Sequence, residues 1–182
     1  FLYGIALVYG ATGSTNLVEI ATFLSTTVLA HDGLLLAGMA LLLVGFGFKV
    51  AAVPFHFWAP DTYEGAPVPV AAYLSVVSKA AGFVGLALLL TEGFAPYADR
   101  WGPAVAVVAA VTMTAGNVAA LRQTRAVRLL AWSSIAQSGY MLVPLGSASV
   151  GSTEAVLPAT VAYVLAYGVM NLGAFSVVTL VG

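Results

Sequence analysis

Two of the six basic residues in this 182-residue chain, Lys49 and Lys79, stand inside long apolar runs. Lys79 lies midway along residues 69–90, about 15 Å from either end of a helix that rises ~1.5 Å per residue. A lysine stem is too short to carry its ammonium fully out to water from there. Placing a lysine at the centre of a membrane helix costs at least about 2.5–3.5 kcal/mol. The chemistry open to such a group is proton uptake and release inside protein or a wet cavity. Helical spacing puts Ala72, Ser75, Gly82 and Phe83 on its face, a small and partly hydroxylated stripe suited to close packing and polar contact. A structural lysine, paired permanently with a carboxylate on another helix, is the competing reading.

Lys49 follows the uncharged run Gly33–Phe48 and precedes Val50-Ala-Ala-Val-Pro54. A mid-span proline deletes a helical hydrogen bond and clashes with the preceding turn. Residues 33–63 also exceed the ~20 residues that one straight crossing takes. A broken helix explains both facts, with one half ending near Lys49 and a second starting from Pro54. Unwound backbone of this kind lines mid-membrane sites. A helix that ends at Lys49, with its ammonium at the interface, fits the same residues. His56 titrates near neutrality when unperturbed and could relay protons, or it could simply pack between helices. Asp61 and Glu64, beside Pro60, Gly65 and Pro67, read as loop or half-helix-end residues. One histidine with no second nearby argues against a metal site.

The elements that must position these groups follow from composition. The chain is 61% hydrophobic and only 7% charged, against about 45–50% and 25% in soluble domains. This is an integral membrane chain, which excludes a soluble enzyme, a nucleic-acid binder and a disordered tail. A net charge of −1 offers no basic surface to nucleic acid. The absence of cysteine excludes disulfides, thiolate zinc, iron–sulfur clusters and a cysteine nucleophile. The pattern is helical throughout, without the short alternating segments of a membrane barrel. The expected fold is all-α, a polytopic transmembrane helix bundle forming one domain over 1–182. Its expected spans are one partial, 1–10, and five full: 33–63, 69–90, 102–121, 129–147 and 155–180.

Phe1 is not a start methionine and no signal peptide precedes the first apolar run, so the chain reads as a piece of a longer polypeptide. Gly10-Ala-Thr-Gly13 stops the first helix, and Asn16 is placed to cap an amphipathic interfacial segment, Leu17–Leu29. Neutral polar residues recur on later spans: Thr112, Thr114 and Asn117; Ser134, Gln137, Ser138 and Tyr140; Tyr163, Tyr167 and Asn171. Interhelical hydrogen bonds of about 0.6 kcal/mol each account for most of them, a hydrated proton wire being the alternative. Arg122, Arg125 and Arg128 crowd one connection, which puts loop 122–128 in the cytoplasm and Asp32, Asp99 and Glu154 outside. A merely solvated loop would also hold three arginines.

The run Phe48-Lys-Val-Ala-Ala-Val-Pro-Phe-His-Phe-Trp-Ala-Pro-Asp-Thr-Tyr-Glu-Gly-Ala-Pro67 closely resembles the antiporter-like membrane subunits of respiratory complex I. Within that family, Asp61-Thr-Tyr-Glu-Gly-Ala-Pro67 favours the N-type subunits of bacterial NADH-quinone oxidoreductase. Tyr3–Gly13, Ser78-Lys79-Ala80, Arg128–Ile135 and Asn171–Phe175 agree, so the resemblance covers essentially the whole chain. It implies a fold of fourteen helices around two inverted five-helix repeats, of which this chain matches a partial sixth helix through the eleventh. It also implies that Lys49 and Lys79 belong to a mid-membrane proton path driven by distant quinone reduction, in the bacterial plasma membrane. Other membrane subunits and the lipid bilayer are the implied partners. NADH, flavin, iron–sulfur clusters and quinone would be used by the complex as a whole, with no cofactor in this subunit. The family's helix-five glutamate and helix-twelve lysine lie outside these residues, and Val127 stands where many relatives have lysine. Two rival functions remain: a cation/proton antiporter subunit using the same lysines, and a passive scaffold of the membrane arm.

Overall fold

The computed structural model describes residues 1–27, 32–151 and 153–181. Every regular element among them is helical. In chain order these are α1 (Leu2–Thr12), α2 (Leu17–Thr26), α3 (Gly33–Val50), α4 (Trp58–Gly65), α5 (Val68–Gly93), α6 (Ala98–Ala120), α7 (Ala126–Gly146) and α8 (Val156–Val181). Short 3₁₀ turns, Ala95–Tyr97 and Thr153–Ala155, lead into α6 and α8. Four segments are long and apolar enough to cross a membrane: Gly33–Val50, Val68–Gly93, Ala95–Ala120 and Thr153–Val181. The helix α7 matches them in length but carries Ser133, Ser134, Gln137, Ser138 and Tyr140 along its run.

Local signals set the first elements. Gly13 takes the left-handed conformation (φ 75°) and donates its N–H to the Tyr9 carbonyl at 2.7 Å, closing α1. The Asn16 side chain accepts the Val18 and Glu19 N–H groups at 2.9 and 3.4 Å, capping α2. Val28 and Leu29, the end of the expected Leu17–Leu29 segment, lie outside the described residues. One π turn, Leu74–Ser78, interrupts the α-helical ladder of α5, and a second, Leu89–Gly93, ends it. Such turns insert an extra residue and shift the side-chain register.

Small residues let the helices approach. A Cβ built on Gly116 of α6 would lie 2.5 Å from the Ala136 nitrogen of α7. One on Gly139 of α7 would lie 2.7 Å from the Met113 nitrogen of α6, and one on Gly146 would lie 2.8 Å from the Ala106 Cα. Gly4 of α1 meets α3 in the same way at Gly38 and Leu42. The helix α8 lies against both α5 and α7. The buried apolar residues form one large cluster including Leu35, Met39, Phe83 and Trp101. A smaller cluster surrounds α4 and contains Tyr63, Ala131, Ile135 and Phe175.

The α6–α7 contact leaves no room for a methyl group. Gly116→Ala is expected to destabilise the bundle by about 1–3 kcal/mol, because backbone must shift. Gly173→Ala, where nothing lies within 4 Å, is the matched control and is expected to be neutral or slightly stabilising. Detergent unfolding of the two variants measures the difference.

Candidate functional site

The break expected between Lys49 and Pro54 is present, with a different downstream edge. The α3 ladder ends at Val50, and Ala51 takes the left-handed conformation (φ 58°), which costs a non-glycine residue about 1–2 kcal/mol. Ala51 and Ala52 donate their N–H groups back to Phe48 and Gly47 at 3.1 and 2.8 Å, closing the helix end. The second half-helix starts at Trp58 and not at Pro54. Turn hydrogen bonds, Phe55 N–H to Ala52 and Ala59 N–H to His56, occupy the intervening backbone and delay helical register. His56 therefore sits in the irregular segment and not on the second half-helix.

Side chains from elsewhere take up the backbone groups that this break frees. The Trp58 indole N–H donates to the Phe48 carbonyl at 2.8 Å. The Val53 N–H donates to Thr112 Oγ1 on α6 at 3.0 Å, while the Thr112 hydroxyl donates to its own helix at Val108. The Ser138 hydroxyl on α7 donates to the Val50 carbonyl at 2.7 Å, with the Ser134 carbonyl a second acceptor at 3.0 Å. From sequence alone, Thr112 and Ser138 read only as generic interhelical contacts.

Lys79 is almost fully buried, at 1% exposure. It follows directly on the π turn of α5. Its Nζ donates to the Ser134 carbonyl at 2.9 Å, to Ser134 Oγ at 2.7 Å and to Ser138 Oγ at 2.9 Å. All three ammonium hydrogens thus have acceptors, and every acceptor is neutral. The permanent carboxylate pair of the competing reading is not seen among the described residues: their ion pairs join Arg100 to Asp32, Arg125 to Glu64, and Arg128 to both Asp61 and Glu64. Through Ser138, one hydrogen-bonded path joins the Lys79 ammonium to the Val50 carbonyl at the lip of the break. Ser75, expected on the Lys79 face, is buried as Lys79 is and accepts from the Asn171 amide of α8 at 2.6 Å.

Lys49 lies at the end of α3 with an exposed side chain. Its stem borders Gly82, where an added Cβ would fall 3.1 Å from Lys49 Cγ and 3.0 Å from Val50. The two lysines are thereby drawn to one region of α5, less than one helical turn apart along it. His56 packs against the rings of Phe57 and Trp132 in tilted arrangements, with centroids 5.2 and 5.3 Å away. It makes no hydrogen bond to Lys79 or its serines.

Asp61 and Glu64 join α4 to the start of α7. Arg128 pairs with Asp61 at 3.2 Å and with Glu64 at 2.6 Å, and Arg125 also pairs with Glu64. Arg128, and then Arg125, hold the Glu64 carboxyl below the usual carboxylate range. This pairing is complete above the ordinary carboxylate pKa and is lost as pH falls through the lowered value. Among the described residues, no three histidine or carboxylate side chains gather as a metal site would require.

A family described as NADH:quinone oxidoreductase/Mrp antiporter, TM, matches residues 1–182. NADH-quinone oxidoreductase subunit N 2 of Streptomyces griseus is 58% identical over 99% of the chain and 35% of its own length. A chain of respiratory complex I from Thermus thermophilus, solved with bound aureothin, is 41% identical with a TM-score of 0.67, over 93% of this chain and 35% of that one. A chain of the Mrp complex from Dietzia sp. is 25% identical with a TM-score of 0.80, over 96% and 31%. The chain spans about a third of the length of the curated relatives it matches.

Thr112→Val keeps the side-chain shape but removes the acceptor for Val53. It is expected to cost about 1–3 kcal/mol, the penalty for a buried donor left unpaired. Thr112→Ser is expected to retain most of the stability. Amide exchange at Val53, faster in the valine variant only, is the readout.

Proposed function

Because the chain belongs to the NADH:quinone oxidoreductase/Mrp antiporter transmembrane family, we propose that it is part of the N-type membrane subunit of a proton-pumping NADH-quinone oxidoreductase. It lies in the bacterial plasma membrane beside the other membrane subunits, with loop 122–128 facing the cytoplasm. Redox chemistry with NADH and quinone belongs to the complex, and this chain moves protons. The observation that carries the reading is Lys79, an ammonium buried in the middle of a spanning helix and held by neutral oxygens alone. A carboxylate partner would fix its charge. Hydroxyl partners allow the charge to come and go.

The hydrogen bonds supply a coupling device. Charged Lys79 donates three hydrogens and needs only acceptors. Neutral Lys79 has two hydrogens and a lone pair that asks for a donor. A serine hydroxyl can turn to provide one, whereas the Ser134 carbonyl cannot. If Ser138 turns, its hydrogen leaves the Val50 carbonyl, and the end of the broken helix loses its donor. Where Ser138, rather than the Ser134 hydroxyl, supplies that donor, proton loss at Lys79 and rearrangement beside Lys49 become one event. Lys49 acts as the coupling lysine, its proton affinity set by the approach or withdrawal of an opposite charge. The identity of 58% with a subunit N, against 25% with the Mrp chain, supports a redox-driven pump over a cation exchanger.

The test uses the complete subunit in membrane vesicles. Lys79→Ala is expected to leave the complex assembled on a native gel while proton pumping falls by about tenfold or more, as when a positioned proton carrier is removed. Lys79→Arg is expected to fail as well, since a guanidinium keeps its proton. Normal pumping in both variants would overturn the reading and leave a scaffold.

A further inference from the structure

A crevice of about 210 Å³ lies between α3 and α6, and every residue lining it is apolar. Val44 of α3 and Ala104 of α6 stand on its exposed rims. Leu86 of α5 and Leu142 of α7, both buried, form its floor. Val50 and Ala52 close its inner end at the break in α3.

The lining and the size limit what fills this space. With no polar group to hold it, water stays out: an engineered apolar cavity of about 150 Å³ remains dry and takes up benzene. A helix, about 10–12 Å across with its side chains, is too broad to enter. The mouth opens between two segments that are each long and apolar enough to cross a membrane, so hydrocarbon tails are the medium outside it. Left empty, the crevice would deprive its lining of dispersion contacts on one side. A single flexible acyl chain fits both its width and its chemistry.

A charged group marks where the rest of such a molecule would sit. Arg100 stands one turn before Ala104, and helical spacing puts Arg100, Ala104 and Val108 on one face of α6. Its guanidinium reaches to 3.9 Å from the Asp32 carboxylate at the start of α3, so this pair lies across both rims at one membrane face. The Arg100 side chain is still 63% exposed, and a guanidinium carries more donors than that contact uses. A phosphate oxygen at headgroup level is a suitable acceptor for them.

We propose that the crevice is a binding site for one phospholipid, with an acyl chain against Leu86 and Leu142 and the phosphate at Arg100. The inner end of the chain meets Val50 and Ala52, on either side of the left-handed Ala51. The lipid thereby packs against the break itself. This site stands apart from the proton-carrying role of Lys79 and does not depend on it.

The experiment takes the complete subunit in its complex, in vesicles of phosphatidylethanolamine and phosphatidylglycerol. A fraction of the phosphatidylglycerol carries a diazirine along one acyl chain, and labelled residues are located by peptide mass after illumination. Labels are expected on Leu86 and Leu142, which the helices otherwise shield from lipid, and on Val107 and Val111, which are exposed on α6. Ala104→Phe fills the mouth and is expected to abolish the two floor labels while leaving Val107 and Val111 labelled. Arg100→Gln is expected to weaken the floor labels. In the unaltered complex, labels on Val107 and Val111 with none on the floor would overturn the site, as would an α6 with no label at all, because protein would then cover the crevice. Floor labels that persist in Ala104→Phe would overturn this route of entry, and floor labels untouched by Arg100→Gln would overturn the phosphate contact. Should Ala104→Phe not assemble, Val44→Phe closes the mouth from the other rim and is read in the same way.

Discussion

A helix that stops inside a membrane must hand its freed N–H and C=O groups to other protein groups, because lipid offers none. That constraint organises this bundle. The end of α3 is tolerable only because Trp58, Ser138 and Thr112 converge on it from α4, α7 and α6. The glycines that bring α6 and α7 within backbone contact, Gly116, Gly139 and Gly146, hold those hydroxyl-bearing helices together. The packing and the polar site are one problem with one solution.

Ser138 is the point where that structural duty meets the chemistry. Its hydroxyl has one hydrogen and is asked for by the Val50 carbonyl, the Ser134 carbonyl and, when Lys79 is neutral, the lysine nitrogen. A group with more claims than hydrogens changes partner as charge changes. In the proposed function, this ties the state of a buried ammonium to the backbone that carries Lys49. The ion pairs of Asp61 and Glu64 with Arg125 and Arg128 anchor the far end of α4, so a change at the break is not absorbed by a loose half-helix.

Much of this is legible from residue type and position. Pro54 and the excess length of 33–63 announce a break, and Lys79 at mid-span announces an expensive group that must find polar company. The partners are not legible, because they are tertiary. Ser134 and Ser138 lie 55 and 59 residues beyond Lys79, and nothing in the α7 stripe marks two of its serines as special. Helical spacing puts Ser75 on the Lys79 face, and both are buried, but its partner there, the Asn171 amide of α8, is equally tertiary. The break that a mid-span proline forces makes Pro54 the expected start of the second half-helix. Turn bonds across residues 52–59 and the Trp58 indole set it at Trp58 instead.

In the proposed function, Lys79 and the break in α3 act as one unit through Ser138. The most direct test is the proton yield per NADH oxidised by the complete complex carrying Ser138→Ala. Lys79 keeps both Ser134 acceptors in that variant, while the path to Val50 is cut. The expected result is an assembled complex that still oxidises NADH with a clearly lowered proton yield. An unchanged yield would contradict it, and would reduce Ser138 to a cap on a helix end.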